Sequence, residues 1–200
     1  LVSFRYGQQT GWGRHEGDHV IDLSEHADSL QASLQDSSLW KRDGQRRALE
    51  DLSWLPPIIA PRRILCVGVN YDAHRAEMGR EVPEYPVVFT RFASSLVGHL
   101  EPIVRPSLSE KHDYEGELAL IIGKTCRRLS RDEAMDVVAG FSCFNDGSIR
   151  DFQRHTHQFT PGKNFDASGA CGPWMVPKDE LSFPTKLSTY EAGERRQHAT

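Results

Sequence analysis

No apolar run in these 200 residues approaches the roughly 20 that span a bilayer, so nothing in the sequence reads as a transmembrane helix. No signal peptide is visible either. The chain opens at Leu1 without a methionine, and a few residues are expected ahead of it. A basic surplus is missing too. With 24 Lys and Arg against 28 Asp and Glu the net charge is -4, which excludes a basic field aimed at nucleic acid or an anionic membrane. Cysteine is scarce: Cys66, Cys126, Cys143 and Cys171 form no C-x-x-C pair, and no histidine spacing completes a zinc site. All four lie in or beside apolar segments, so they read as buried, reduced thiols of a cytoplasmic protein. Repeats and low-complexity stretches are absent.

What remains is the composition of a soluble globular chain, 38% hydrophobic and 26% charged, long enough for one large domain or one domain with a small appendage. Val2, Phe4 and Tyr6 alternate as in a strand, and His19-Val20-Ile21-Asp22-Leu23 resumes the pattern after a turn. Residues 28–39 and 43–52 predict two surface helices with weak amphipathic patterns. Pro56-Pro57 and Pro61 bracket an extended linker, which divides a small N-terminal strand and helix region, residues 1–57, from the rest, residues 58–200.

Beyond the linker, Ile64-Leu65-Cys66-Val67-Gly68-Val69 is a strand by length and β-branching, and Pro86-Val87-Val88-Phe89-Thr90-Arg91-Phe92 is another. Ile103-Val104 reads as a short one. Ser130-Arg131-Asp132-Glu133 is a capping box that predicts a helix running to about Val138, with a strand after it over Phe141-Ser142-Cys143-Phe144. A short helix is expected within residues 149–155, with His155 and His157 exposed beside it, and Pro161-Gly162-Lys163-Asn164-Phe165-Asp166 is expected to be a loop. Further strands are expected in residues 169–176 and 187–190, the latter with a turn at Gly193.

The chemistry collects in a few places. In Asp113-Tyr114-Glu115-Gly116-Glu117, which leads into the apolar strand Leu118-Ala119-Leu120-Ile121-Ile122, the two glutamates are two apart and share a face in an extended chain. Adjacent carboxylates repel and call for a proton, a basic side chain or a cation; hard oxygen ligands suit Mg²⁺, Mn²⁺ or Ca²⁺. An exposed acidic strand end is the alternative. Asp146, in Asn145-Asp146-Gly147-Ser148, leaves a strand end, as a third carboxylate or as a turn-forming residue. His74 and Glu77 are three apart and meet on a helical turn, either as an oriented general base or as an ordinary surface pair. The loop behind them, with Gly79, Pro83 and Pro86, has the composition of a lid. Lys163 stands between turn residues. Three carboxylates would leave about three positions of an octahedral Mg²⁺ free, and a 2-oxo acid or 1,3-dicarbonyl could take two. The ion would polarise the carbonyl as a Lewis acid, with Lys163 adding positive charge.

Val67-Gly68-Val69-Asn70-Tyr71-Asp72-Ala73-His74-Arg75-Ala76-Glu77 resembles a segment of the fumarylacetoacetate hydrolase family. Asp113-Tyr114-Glu115-Gly116-Glu117 resembles that family's paired-glutamate metal motif, and Asn145-Asp146-Gly147-Ser148-Ile149-Arg150-Asp151 its third-ligand segment. Gly162-Lys163-Asn164-Phe165-Asp166 and Gly172-Pro173-Trp174 are similar to its lysine loop and the turn after it. The resemblance implies a mixed β-sandwich roll, an α+β fold with a few short helices, assembled as a homodimer. It implies Mg²⁺ or Mn²⁺ on Glu115, Glu117 and Asp146, a catalytic set of His74, Glu77 and Lys163, and substrate contacts from Arg91, Tyr114, Arg150 and Gln153. Members hydrolyse carbon–carbon bonds, decarboxylate 2-oxo diacids, isomerise enols or hydrate 2-oxo-enoic acids, partly in the breakdown of aromatic compounds, so the family does not settle the reaction. Hydrolysis of a carbon–carbon bond in an acylpyruvate-like acid is the expectation here, with a catalytically silent metal-binding relative as the rival.

Two departures stand out. Arg91, in Thr90-Arg91-Phe92, occupies a place where many members carry lysine, and its fork would hold a substrate carboxylate differently. The family's later strands, with a glycine-rich segment and a threonine, have no counterpart here; the C-terminal part of the domain is expected to be missing, with sheet edges left unpaired.

Overall fold

The computed structural model describes residues 1–71 and 84–199. His74, Glu77, Gly79 and Pro83 therefore lie outside the described residues, and with them the expected base and most of the expected lid. The first 55 residues build an antiparallel sheet from β1 (Val2–Tyr6), β2 (Gln9–Glu16), β3 (His19–Asp22), β4 (Gln45–Ala48) and β5 (Ser53–Leu55), in the order β4-β3-β2-β1-β5. The strand expected at Val2, Phe4 and Tyr6 forms, but burial does not alternate: Val2, Ser3 and Phe4 are all buried and Tyr6 is exposed.

The two predicted surface helices are corrected. Residues 28–39 hold only a helical turn, Leu30–Ser33, capped by Ser29, and the start of a 3-10 helix, Ser37–Lys41. Residues 43–52 are β4 and a 3-10 turn, Leu49–Asp51. The backbone of Gln45 to Ala48 pairs along β3, and that ladder outweighs a weak amphipathic pattern.

The N-terminal sheet does not close its core alone. Trp12, Ile21, Leu23 and Leu30 bury themselves around Met175, with Ile121 and Ala139 packed alongside. Trp12 Nε1 donates to Ala27 O at 2.7 Å, which satisfies the polar end of the largest side chain in this cluster.

The second half is organised by β10 (Gly116–Ile122) and β11 (Val138–Asn145), antiparallel from Gly116 opposite Asn145 onward. β13 (Gly169–Cys171) joins β11, and β8 (Leu96–Val97) runs parallel to β13. Around this sheet lie three ribbons: β6 (Ile64–Gly68) with β7 (Val87–Arg91), β9 (His112–Asp113) with β12 (Ser148–Ile149), and β15 (Leu187–Glu191) with β16 (Glu194–Ala199). β14 (Val176–Pro177) adds a short pairing to β11. The result is mixed β with short helices, as expected.

Local details depart. The capping box forms, with Ser130 N donating to Glu133 Oε2 at 2.9 Å, but the residues after it make only a 3-10 turn, Ala134–Val137. β11 starts at Val138, where pairing with Ile122 begins, so the predicted helix has no residues left. Residues 103–104 form no strand; Val104 N donates to Ala167 O at 2.8 Å instead. The expected lysine loop contains a helical turn, Thr160–Lys163. Residues 194–199 pair with β15, and Gln197 Oε1 accepts from Gly116 N at 2.8 Å. Two of the four thiols expected to be buried, Cys126 and Cys143, are exposed, and all four are free. Among the described residues no helix is long and apolar enough to cross a membrane.

Two short helices, Arg150–Gln153 and Thr160–Lys163, carry polar site residues and touch at Gly162. A Cβ there would stand 2.4 Å from the backbone N of Gln153, so glycine sets the approach. Gly162→Ala is expected to destabilise by about 1–3 kcal/mol through overpacking. Gly68→Ala, whose Cβ would meet nothing closer than 3.5 Å, should cost less; paired urea unfolding curves measure both.

Candidate functional site

β10, β11 and β7 bring their charged ends to one place. Glu115 precedes the first residue of β10, and Asp146 comes directly after the last of β11; Asp146 N donates to Glu115 O at 2.8 Å, and Glu115 N to Asn145 Oδ1 at 3.1 Å. The register of one antiparallel pair therefore sets two carboxylates side by side across a separation of about thirty residues. Gly147 permits the turn beyond Asp146: a Cβ there would lie 1.9 Å from Ser168 O.

The two carboxylates share one cation. Lys163 Nζ is 2.8 Å from Glu115 Oε2 and 2.6 Å from Asp146 Oδ2, and the side chain is 1% exposed. Its backbone is pinned by the next residue. Asn164 Oδ1 accepts from Phe92 N at 2.6 Å, and its Nδ2 donates to Thr90 O and Thr160 O, each at 3.0 Å. The Phe89 ring, centred 5.0 Å from Nζ, walls the ammonium on another side.

Further cations flank the pair. Arg91 Nη1 donates to Asp146 Oδ1 at 2.6 Å. Arg150 donates from Nε and Nη2 to Asp113 Oδ2 at 2.8 and 2.7 Å, and from Nη1 to Glu115 Oε1. Burial alone would lower the Arg150 pKa, but Glu115 and Asp113 hold it above its ordinary value. The charges thus alternate: Asp113, Arg150, Glu115, Lys163, Asp146, Arg91.

Glu117 stands outside this alternation. Burial, then the charges of Glu115 and Asp146, push its carboxyl up to about 7, while the Tyr71 hydroxyl and Lys163 oppose the rise. Tyr71 in turn is raised to about 12, by burial first and then by Glu117. The chain reaches Tyr71 through Val69 at φ 55°, a left-handed conformation that a β-branched residue adopts at a cost. Cys66, held up at about 12 by burial and by Asp146, stays a thiol and offers no nucleophile.

Of the residues expected at the site, Glu115, Asp146, Lys163, Arg150 and Arg91 join one network, with Glu117 coupled to it electrostatically. Gln153 reaches it through a 3.1 Å bond from Arg150 Nη1. Tyr114 is half-buried, with its backbone N donating to Asp113 Oδ1. Among the described residues no three Asp, Glu, His or Cys side chains stand close enough to grip one ion in this arrangement, since the Lys163 ammonium lies between Glu115 and Asp146. The donor set itself, three carboxylates with hard oxygens, fits a divalent cation, which would relieve the part of the Glu117 rise that, after burial, comes from Glu115 and Asp146. Sequence reasoning passed over Ser148, whose hydroxyl donates to Asp146 O at 2.8 Å, and Ser95 and Ser168, which bond Arg91. Only Ser148 carried a signal, its place in the Asp146 turn.

The raised Glu117 carboxyl has a consequence for the protein without added metal. The folded state holds this proton more tightly than the unfolded chain, so the associated stability is full below about 4.5 and is lost as pH rises through about 7. Urea midpoints measured from pH 4.5 to 8 should fall in that window, and Glu117→Gln should flatten the fall.

The family profile described as fumarylacetoacetate (FAA) hydrolase C-terminal matches residues 63–200. The human protein named oxaloacetate tautomerase FAHD2A, mitochondrial, is 40% identical over 208 residues, covering 94% of this chain and 65% of that protein. The fumarylacetoacetate hydrolase of Exiguobacterium antarcticum superposes with a TM-score of 0.82 at 34% identity, covering 99% of this chain and 74% of that one. The maleylpyruvate hydrolase of Sphingobium sp. SYK-6, solved with manganese(II) and pyruvate, superposes with a TM-score of 0.79 at 25% identity, covering 100% and 75%. The chain spans about three-fifths of the length of the first curated relatives it matches. By profile, sequence and fold together, the chain belongs to the fumarylacetoacetate hydrolase family.

Proposed function

We propose that this chain acts, with a divalent cation, on small 2-oxo or 1,3-dicarbonyl acids by moving a proton at the carbon beside the carbonyl. The observation that carries the reading is the meeting of Glu115 and Asp146 on Lys163, with Glu117 alongside under their repulsion. Glu115, Glu117 and Asp146 would hold Mg²⁺ or Mn²⁺. When bound, such an ion supplies a Lewis acid for a carbonyl oxygen.

The chain's own groups supply the rest. Lys163, walled from water, offers a fixed positive charge where an oxyanion develops. Arg150, partly exposed while bonded to Asp113, Glu115 and Gln153, and Gln153 beside it are assigned to a substrate carboxylate by the family resemblance. His74, with Glu77 fixing its tautomer, takes the role of base by the family resemblance.

Among reactions of this kind, keto–enol tautomerisation of a 2-oxo diacid is favoured, because relatives 34–40% identical carry the name oxaloacetate tautomerase. Carbon–carbon hydrolysis is the second reading, supported by the maleylpyruvate hydrolase with its manganese and pyruvate. A homodimer in an aqueous compartment, cytoplasmic or, as the names of some relatives suggest, mitochondrial, completes the proposal.

The test joins Mn²⁺ titration calorimetry to two assays, the ultraviolet decay of enol-oxaloacetate and pyruvate release from acylpyruvates. The wild type should bind Mn²⁺ and turn over oxaloacetate. His74→Ala should lower the rate about 10²–10⁴-fold and keep its Mn²⁺ affinity. Glu117→Ala should lose Mn²⁺ affinity and regain part of its activity at high Mg²⁺. The reverse pattern would overturn the role assignment. A wild type that neither binds Mn²⁺ nor turns over any substrate would be the silent relative instead.

A further inference from the structure

We propose that Arg91 is a positioning residue for the Asp146 carboxylate and makes no contact with substrate. Arginine has five N–H donors in a planar fork. Here all five have protein acceptors. Nε donates to Ser95 Oγ at 3.1 Å. Nη1 donates to Asp146 Oδ1 at 2.6 Å and to Gly147 O at 2.9 Å. Nη2 donates to Ser168 Oγ at 3.1 Å and to Ser95 O at 3.3 Å. The residue is 2% exposed, so no donor is left to face a substrate carboxylate.

The slot is built for this group. A Cβ at Gly169 would stand 2.7 Å from Nη2, so glycine there leaves room for the guanidinium plane. Arg91 closes the strand β7, while its partners come from the turn after β7, the turn after β11 and the approach to β13. A lysine, with three donors on a rotating ammonium, could neutralise Asp146 but could not bridge these segments.

The effect falls on Asp146. With Oδ1 engaged by Arg91, rotation of the carboxylate is fixed, and Oδ2 is turned to the space shared with Glu115, where Lys163 now meets it at 2.6 Å. The proposal rests on the reading that Asp146 is one of the cation-holding carboxylates. In that case Arg91 governs cation affinity by fixing the direction of Oδ2, as outer partners of metal ligands do.

Mn²⁺ titration calorimetry and steady-state kinetics on Arg91→Lys and Ser168→Ala test it. Arg91→Lys should bind Mn²⁺ about 10–100-fold more weakly. Its kcat should recover with excess Mn²⁺, and its KM for oxaloacetate at saturating Mn²⁺ should stay at the wild-type value. Ser168→Ala, which removes one anchor and leaves both charges, should shift affinity in the same direction by less, and it decides the matter if Arg91→Lys fails to fold. Unchanged Mn²⁺ affinity in the folded variants, with a raised KM that excess Mn²⁺ does not repair, would make Arg91 a substrate contact and overturn the proposal. A wild type that takes up no Mn²⁺ would instead remove the reading of Asp146, and the proposal with it.

Discussion

Six alternating charges, from Asp113 at a half-exposed end to Arg91 at a buried one, hold the second half of this protein together. Taking such groups out of water costs several kcal/mol per ion, so they persist only where each is paired and its remaining hydrogen-bonding positions are filled. Glu115 and Asp146 each lie between two cations, and Arg91 has every donor engaged. Removing one member would strand its neighbour, which in buried pairs costs about 3–5 kcal/mol. A network of this kind stabilises less than an apolar core of equal volume would, but it admits very few arrangements of the segments that supply it.

Those segments are distant in the chain and are delivered by the sheets. β10 and β11 place Glu115 against Asp146 through backbone pairing and the Asn145 side chain. β7 carries Arg91, and the Asn164 side chain fastens the lysine turn to that same strand. The N-terminal sheet stands apart from the charges but shares a core with β10 and β11 through Met175, Ile121 and Ala139. It supplies no charged member to the network.

Much of the site is legible in the sequence alone. Asp113-Tyr114-Glu115-Gly116-Glu117 and the Asp146 turn are unusual enough as strings to name their family, and their spacing carries a chemical reason. Arg91 is legible there only as a charge. Thr90-Arg91-Phe92 reads as the end of a strand that could face either way, and an arginine there looks like a hand held out to substrate. Alternation in β7 buries Phe89 and Arg91 on one side, which turns the guanidinium inward. Residues 43–52 mislead because a weakly amphipathic stretch adopts whichever state its neighbours offer, and β3 offers an open edge. The Ser130 box does cap a turn, yet a cap fixes where a helix begins and has no say in how soon a neighbouring strand claims the chain.

The sequence by itself determined the strands with clear alternation, the turns built on glycine and proline, the family, and which carboxylates and cations were candidates for the site. These depend on residues within a few positions of one another, so a linear reading reaches them. Only the tertiary structure decided who pairs with whom: that Lys163 divides itself between Glu115 and Asp146, that Arg150 serves Glu115 as well as Asp113, and that Arg91 spends its whole fork on the protein. Charge partners are chosen by distance and by the cost of leaving water, and both exist only once strands separated by dozens of residues have been laid side by side.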